Sequence, residues 1–312
     1  MPVEVGARTG AAFEPRVFAA MPGLEWKARY LMEGFLSGLH GSPFHGPSIE
    51  FRDYRDYQPG DDLRRIDWRL YARNDRLCVR RYEQETNARC YLLCDTSASM
   101  SYRGATAWAS KIEAARVLGL ALSFLLLRQN DAVGLLALQA ACGDPRPQPA
   151  VRYVRPSQKP DQAGVMLREL GSLDPQGGPA LAALLEHAGR IAHRRSLLVL
   201  ISDLLEPSPE VELGLKRLRF GGHECLCLQV LDGDEIDFPF QDATLFEDLE
   251  SGLRRRQAGR EVGDLYRSRF AAFLGEWQDL FRRLEVRHLA IRTDRDPSAS
   301  LARFFARAQG AA

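Results

Sequence analysis

Residues 90–100, CYLLCDTSASM, join a strand-like apolar run to a group of polar side chains. The first five residues show no polar alternation, which is typical of a strand covered on both faces of a parallel sheet. Asp95 ends this run, and hydroxyl side chains follow at Thr96, Ser97 and Ser99. Because ligand sites in open parallel sheets form outside the carboxyl ends of the strands, we predict that Asp95 lies at such a site.

More strand-like runs follow, and helical patterns separate them. This alternation predicts parallel strands that are joined by crossover helices. The further strands are predicted over residues 132–138, 196–202, 225–231 and 287–293, with a short antiparallel edge strand at 151–154. Helices are predicted over residues 179–193, 208–219, 262–284 and 298–308.

One additional helix, predicted from Trp108 onward, is unusually apolar. Apolar residues recur along it at steps of three and four, and its later turns are apolar nearly all round. The residues that define this pattern are Trp108, Ile112, Ala115, Gly119, Leu122 and Leu126. Such a helix must be covered on more than its sheet side, so we predict that the N-terminal segment packs over it.

Residues 1–88 differ in pattern from the rest of the chain. A helical stretch near residues 24–38 is followed by a turn-rich linker and then by extended segments, of which RLCVRRYEQE (76–85) is predicted to supply a strand. We therefore predict a small N-terminal helix-plus-β subdomain over residues 1–88. It would pack on an α/β domain over residues 89–312.

The overall composition favours some classes of protein over others. The 312 residues carry a formal net charge of +1, which gives no support to a nucleic-acid partner. The basic stretch SGLRRRQAGR (251–260) lacks interleaved aromatic residues and predicts a solvated loop. The longest apolar stretch, residues 117–127, is shorter than the roughly 20 residues that a membrane-spanning helix needs.

The six cysteines contain no C-x-x-C pair and mostly lie inside apolar runs, which is typical of reduced core residues. No secretory signal pattern begins the chain. Since disulfides seldom persist in the cytoplasm, we expect a cytoplasmic location.

A second carboxylate, Asp203, follows the predicted strand at residues 196–202. We therefore predict that Asp95 and Asp203 point into one crevice at the ends of their strands. The D-x-S-x-S pattern at Asp95, Ser97 and Ser99 supplies hard oxygen donors, which suit Mg²⁺ or Mn²⁺.

These residues resemble the metal-ion-dependent adhesion site of von Willebrand factor A-type domains. The stretches GDDLRRIDWRLYARNDRLCVRRYEQE (60–85), LLCDTSASM (92–100) and LLVLISDLLE (197–206) resemble more closely the bacterial domain-of-unknown-function family fifty-eight. Members of that family are often associated with MoxR-type AAA+ ATPases. The resemblance implies a von Willebrand factor A-like, Rossmann-type α/β fold, with a mostly parallel sheet that is flanked by helices.

The resemblance also implies that Asp95, Ser97, Ser99 and Asp203 contribute to a metal shell, directly or through water. The family pattern places a threonine in a GGT-like loop, but this chain has Gly177-Gly178-Pro179 there. Because proline offers no side-chain oxygen, we expect weakened binding of Mg²⁺ or Mn²⁺. The implied function is that of a non-enzymatic protein-interaction module, which presents its site to an acidic side chain of a partner. The implied partner is a MoxR-type ATPase, and the implied process is the assembly or maturation of protein complexes.

Two other interpretations stay open at the level of the sequence. Asp95 could act as the nucleophile of a metal-dependent phosphoesterase, although Ser97 stands where such chemistry would want a second carboxylate. Alternatively, the chain is a structural scaffold with an empty site, in which Ser97, Ser99 and Ser101 only cap a helix. No G-x-x-x-x-G-K-[ST] phosphate loop is present, so the chain is not itself the ATPase.

Overall fold

The computed structural model of the chain describes residues 14–37, 49–56, 68, 70–71, 76–84, 88–139, 150–176, 178, 180–205 and 208–309. Its helices are α1 (Pro15–Ala20), α2 (Gly23–Ser37), α3 (Lys111–Arg128), α4 (Gln162–Gly171), α5 (Leu181–Ile191), α6 (Pro209–Phe220), α7 (Gly233–Asp237), α8 (Gly259–Arg283) and α9 (Pro297–Gln309), with a 3₁₀ helix at Ala98–Ser101. Its strands are β1 (Ile49–Asp56), β2 (Cys78–Gln84), β3 (Arg89–Cys94), β4 (Ala132–Gln139), β5 (Ala150–Ser157), β6 (Leu197–Ser202), β7 (Glu224–Leu231), β8 (Ala243–Glu247), β9 (Arg254–Ala258) and β10 (Arg287–Arg292).

A six-stranded sheet in the order β10-β7-β6-β3-β4-β5 organises the fold. Its neighbouring strands are parallel except for β5, which pairs with β4 in the antiparallel direction at one edge. The predicted fold class is confirmed: the sheet is mostly parallel and Rossmann-type, as expected for a von Willebrand factor A-like domain. The predicted edge strand at residues 151–154 is confirmed as part of β5.

Helices cover both faces of this sheet. Because successive side chains of a strand point to opposite faces, Cys90, Leu92 and Cys94 of β3 pack in one core layer with α2, α3, α4 and α9. Tyr91 and Leu93 pack in the other layer with α5, α6 and α8. The central strand is therefore buried on both sides, which explains why its sequence lacks polar alternation.

Helix α2 provides the predicted cover for α3. Ala28 and Leu31 of α2 are buried in the same core layer as the apolar residues of α3, and Phe18 of α1 contacts Trp108 edge to face. The expectation that an N-terminal segment covers this helix is therefore confirmed. The helix itself begins at Lys111 rather than near Trp108, because Ser110 forms a capping box with Glu113.

Two antiparallel strand pairs lie outside the main sheet. Strands β1 and β2 pair with each other, so the strand predicted in RLCVRRYEQE is confirmed. Strands β8 and β9 form a second pair, and the prediction of a loop over residues 251–260 is therefore wrong. The residues of β9 are nearly all exposed, so burial leaves no apolar pattern by which the strand could be recognised. The proposed division of the chain at residue 88 stays a prediction.

Candidate functional site

The candidate site lies where the strand order changes direction, between β3 and β6. These two strands are parallel neighbours, and the chain winds outward from them toward β4 and β5 on one side and toward β7 and β10 on the other. The Asp95 amide donates to the Ile201 carbonyl over 3.0 Å, which extends the pairing by one residue. Ligand crevices form at such switch points, because the two loops that leave the strands diverge there.

Asp95 is buried at the end of β3 and is held by two hydrogen bonds. Its Oδ1 accepts the Ser97 amide over 2.9 Å, and its Oδ2 accepts the Ser202 hydroxyl over 2.6 Å. Burial raises the pKa of Asp95, and the nearby Asp203 carboxylate raises it further. The two carboxylates therefore interact electrostatically, and whether they share one crevice stays a prediction.

The serines that follow Asp95 bond to each other rather than to a helix end. The Oγ atoms of Ser97 and Ser99 lie 3.1 Å apart. Ser97 precedes the 3₁₀ helix, yet its side chain caps none of the helix amides. The interpretation of Ser97 as a helix cap is therefore wrong, and the hydroxyl stays beside the Asp95 carboxylate.

Asp203 is also buried, but it faces a different set of partners. Its Oδ2 accepts the Lys111 ammonium over 2.7 Å, and its Oδ1 accepts the Leu205 amide over 3.2 Å. The next residue, Leu204, has a left-handed backbone with φ of 59°. The turn after β6 therefore places the Asp203 carboxylate against Lys111 in the first turn of α3.

Buried side chains from other elements hold this turn. Gln229 of β7 donates to the Asp203 carbonyl over 3.1 Å, and Trp277 of α8 donates to the Leu204 carbonyl over 3.1 Å. Ser202 accepts the Leu204 amide over 2.9 Å. These bonds offset the cost of a left-handed residue other than glycine, which is on the order of 1–3 kcal/mol.

Lys111 supplies the positive charge beside Asp203, and no local pattern in the sequence indicates this role. Its side chain is fully buried, and its ammonium donates to Asp203 and also to Glu235 over 2.5 Å. Burial opposes the charge, but the attraction of Asp203 and Glu235 outweighs burial and raises the pKa of Lys111. The only signal in the sequence was that Lys111 is one of four lysines in the chain and begins a helix whose later turns are nearly all apolar.

A second group of carboxylates follows β7, and one of its members, Glu235, pairs with the lysine. Asp232 caps α7 in a capping box with Glu235, and its Oδ2 accepts the Gly104 amide over 2.9 Å and the Thr293 hydroxyl over 2.8 Å. Burial raises the pKa of Glu235, against the lowering effect of Lys111. This group was not predicted, because a five-residue helix leaves no periodic signal in the sequence.

A family model with the description "Protein of unknown function DUF58" matches residues 53–275. The chain belongs to this family. Uncharacterized proteins of Mycobacterium bovis and Mycobacterium tuberculosis are each 31% identical to it over 301 residues, which cover 94% of this chain and 90% of theirs.

Two of the solved structures to which the chain is similar are the following. One is the conserved hypothetical protein BatB from Bacteroides thetaiotaomicron, which is 12% identical, covers 72% of this chain and 99% of its own, and has a TM-score of 0.46. The other is the SpRpn10 VWA domain, which is 13% identical, covers 46% of this chain and 76% of its own, and has a TM-score of 0.31. Among the residues that the structure describes, no helix is both long enough and apolar enough to cross a bilayer.

The side chains around the crevice differ from the metal shell that the family resemblance implies, because a lysine occupies one of the carboxylates. Asp95, Ser97 and Ser99 offer oxygen atoms on one side, but the Asp203 Oδ2 is held by the Lys111 ammonium. Within the described ranges, no group of three or more His, Cys, Asp or Glu side chains is arranged to hold a metal ion. The Asp203 Oδ2, which the ammonium already holds, is therefore not available to a divalent cation that is shared between the two carboxylates.

The third loop of the implied shell approaches the site from α4. The Gln176 amide donates to the Thr96 carbonyl over 3.0 Å, so this loop begins beside the Asp95 segment. Gly177 and Pro179 lie outside the described residues. The consequence that was drawn from Pro179, a missing side-chain oxygen, stays a prediction from the sequence.

Proposed function

We propose that this chain is a non-enzymatic protein-interaction module, which docks a partner at the crevice between β3 and β6. The observation that carries the proposal is the position of Asp95, Ser97 and Ser99 at the switch point of the sheet, with the two hydroxyls 3.1 Å apart and not used to cap a helix. Asp95 and Ser97 are buried and Ser99 is partly exposed, so a partner that docks at the ends of these two strands would meet this polar group first at Ser99.

A non-enzymatic role is favoured over the phosphoesterase interpretation by the neighbours of Asp95. Both carboxylate oxygens already accept hydrogen bonds, from the Ser97 amide and from the Ser202 hydroxyl. The side chain two residues further on is a serine whose hydroxyl bonds to Ser99, so it is a poor general acid or base. The proposal therefore includes no turnover of a general phosphate ester in the presence of Mg²⁺ or Mn²⁺.

The partner that we propose is a MoxR-type AAA+ ATPase, in the assembly or maturation of protein complexes. Support for this choice comes from the family resemblance. The acidic partner side chain that was expected from the sequence would need a metal ion at the site, and Lys111 cannot replace that ion as a docking group because it is fully buried and already paired. We therefore assign the contact to the polar group around Asp95, of which Ser99 is partly exposed.

We also propose a cytoplasmic location. Cys90, Cys94, Cys225 and Cys227 are buried as free thiols. Burial raises the pKa of the Cys94 and Cys225 thiols to about 12, so these side chains are unreactive core residues. Unpaired structural cysteines of this kind fit a reducing compartment.

A capture experiment from native lysate tests the docking site. Wild-type, Asp95→Asn and Asp264→Asn chains are immobilised, and the recovered proteins are compared by mass spectrometry. Asp264 is a matched control because its carboxylate is 97% exposed on α8, far along the chain from the strand ends. We expect Asp95→Asn to lose the ATPase while Asp264→Asn retains it. Equal recovery by all three chains would exclude the crevice as the docking site and would leave the scaffold interpretation.

A further inference from the structure

We propose that Lys111 supplies the positive charge of the strand-end site in place of a divalent metal ion. The inference concerns the site named in the proposed function, but it does not depend on the identity of the partner. The Lys111 ammonium is fully buried and bonds to the side chains of Asp203 and Glu235. The family resemblance does not imply this ion pairing.

The position of the lysine is unfavourable for helix stability. Lys111 is the first residue of α3, where the helix dipole presents its positive end and favours acidic side chains. A buried positive charge there must be stabilised by something outside the helix. Asp203 and Glu235 provide that stabilisation, at 2.7 Å and 2.5 Å from the ammonium.

The lysine is also held in place by the backbone around it. The Lys111 amide donates to the Tyr102 carbonyl over 3.0 Å, and the Ser110–Glu113 capping box fixes the start of the helix. The side chain is fully enclosed, so the ammonium is shielded from solvent and bonds only within the protein. The charge is therefore a fixed part of the crevice.

A fixed ammonium excludes a divalent cation from the Asp203 carboxylate. The two cations would lie within a few ångströms of each other in a region that water screens poorly, and their repulsion there is strong. The sequence supplies a second feature, because Pro179 stands where the family pattern has a threonine and proline has no side-chain oxygen to offer a metal ion. These two features reduce metal binding independently, and both point to a site that operates without a metal.

Thermal unfolding of the full chain tests this assignment. Lys111→Met keeps most of the apolar stem and removes the charge, so Asp203 and Glu235 lose their partner. We expect this variant to unfold at a lower temperature than the wild type and to be stabilised by millimolar Mn²⁺, because a ligand of the folded state raises the midpoint. The wild type should show the same midpoint in Mn²⁺ and in a chelator.

Lys159→Met, at an exposed lysine, should behave like the wild type. Equal responses of the wild type and Lys111→Met to Mn²⁺, including none in either, would overturn the proposal.

A calorimetric titration of Mn²⁺ into the wild-type chain gives a result even if Lys111→Met does not fold. The expected result is no saturable binding. Stoichiometric binding that Asp95→Asn abolishes would overturn the proposal. Neither measurement includes a partner, so a failed capture experiment would leave this inference unaffected, and metal binding by the wild type would leave the docking site unaffected.

Discussion

Ser202 connects the two strand ends of the site through a single hydroxyl group. It donates to the Asp95 carboxylate over 2.6 Å and accepts the Leu204 amide over 2.9 Å, and the side chain is fully buried. In Ser202→Ala, the buried Asp95 carboxylate and the buried Leu204 amide each lose the hydrogen bond that Ser202 makes to them. We expect the free energy of unfolding to fall by about 1–3 kcal/mol, measured by chemical denaturation at neutral pH.

Ser101→Ala is the matched control for this prediction. Ser101 is exposed and donates only to the Ala98 carbonyl within the same 3₁₀ helix. Its replacement should change the free energy of unfolding by no more than about 0.5 kcal/mol. If the two variants lost the same stability, the bridging role of Ser202 would be refuted.

The individual partners in the site could not be predicted from the sequence, although its carboxylates could. Asp95 and Asp203 were found because each ends an apolar run, which is a local feature of the chain. Lys111 and Ser202 were missed because their roles depend on contacts between segments 92 and 107 residues apart. Nothing in the local pattern of either residue distinguishes a site partner from an ordinary helix or strand residue.

At the scale of the elements, the loop after the 3₁₀ helix is fixed against α7 by a glycine. A Cβ atom at Gly104 would overlap the Asp232 carboxylate and would lie 2.7 Å from the Asp234 Oδ2. Gly104→Ala should therefore displace the loop and weaken the hydrogen bond from the Gly104 amide to Asp232. We expect a loss of about 1–3 kcal/mol in the free energy of unfolding, measured by chemical denaturation.

Gly164→Ala provides the comparison for that variant. Gly164 lies inside α4, and a Cβ atom there would meet nothing within 4 Å. Because alanine favours the helix over glycine, this substitution should raise the free energy of unfolding by about 0.5–1 kcal/mol. A Gly104→Ala chain that is as stable as the wild type would show that the loop is not held by the carboxylates of α7.

The elements themselves differ in how well the sequence predicts them. The main-sheet strands and the long helices were recognised because burial imposes an apolar pattern on each of them. The β8–β9 pair was missed because its strands are largely exposed and β9 is arginine-rich, so neither carries such a pattern. The acidic group at α7 was missed for a related reason, since its role comes from capping and contacts with distant loops.

At the scale of the whole molecule, a chain of side-chain contacts connects the far edge of the sheet to the site. His288 of β10 lies 3.0 Å from the Gln229 side-chain oxygen on β7, and Gln229 donates in turn to the Asp203 carbonyl after β6. The His288 ring also packs on Phe281 of α8. Protonation of this imidazole would therefore place a charge inside the helix-covered side of the sheet.

Burial lowers the pKa of His288 to about 4, from the ordinary value near 6.5. Between these two values the unfolded chain binds more protons than the folded chain, so this histidine contributes stability above pH 6.5 that is lost as the pH falls toward 4. We expect the free energy of unfolding of the wild type to fall by up to about 2 kcal/mol between pH 7.5 and pH 5 from this group alone.

His288→Gln cannot titrate and should show a correspondingly smaller loss over that range, whereas His193→Gln, at an exposed histidine, should retain the wild-type dependence. Urea denaturation of the three chains at both pH values measures the difference, and an identical loss in all three would mean that His288 is not the group responsible.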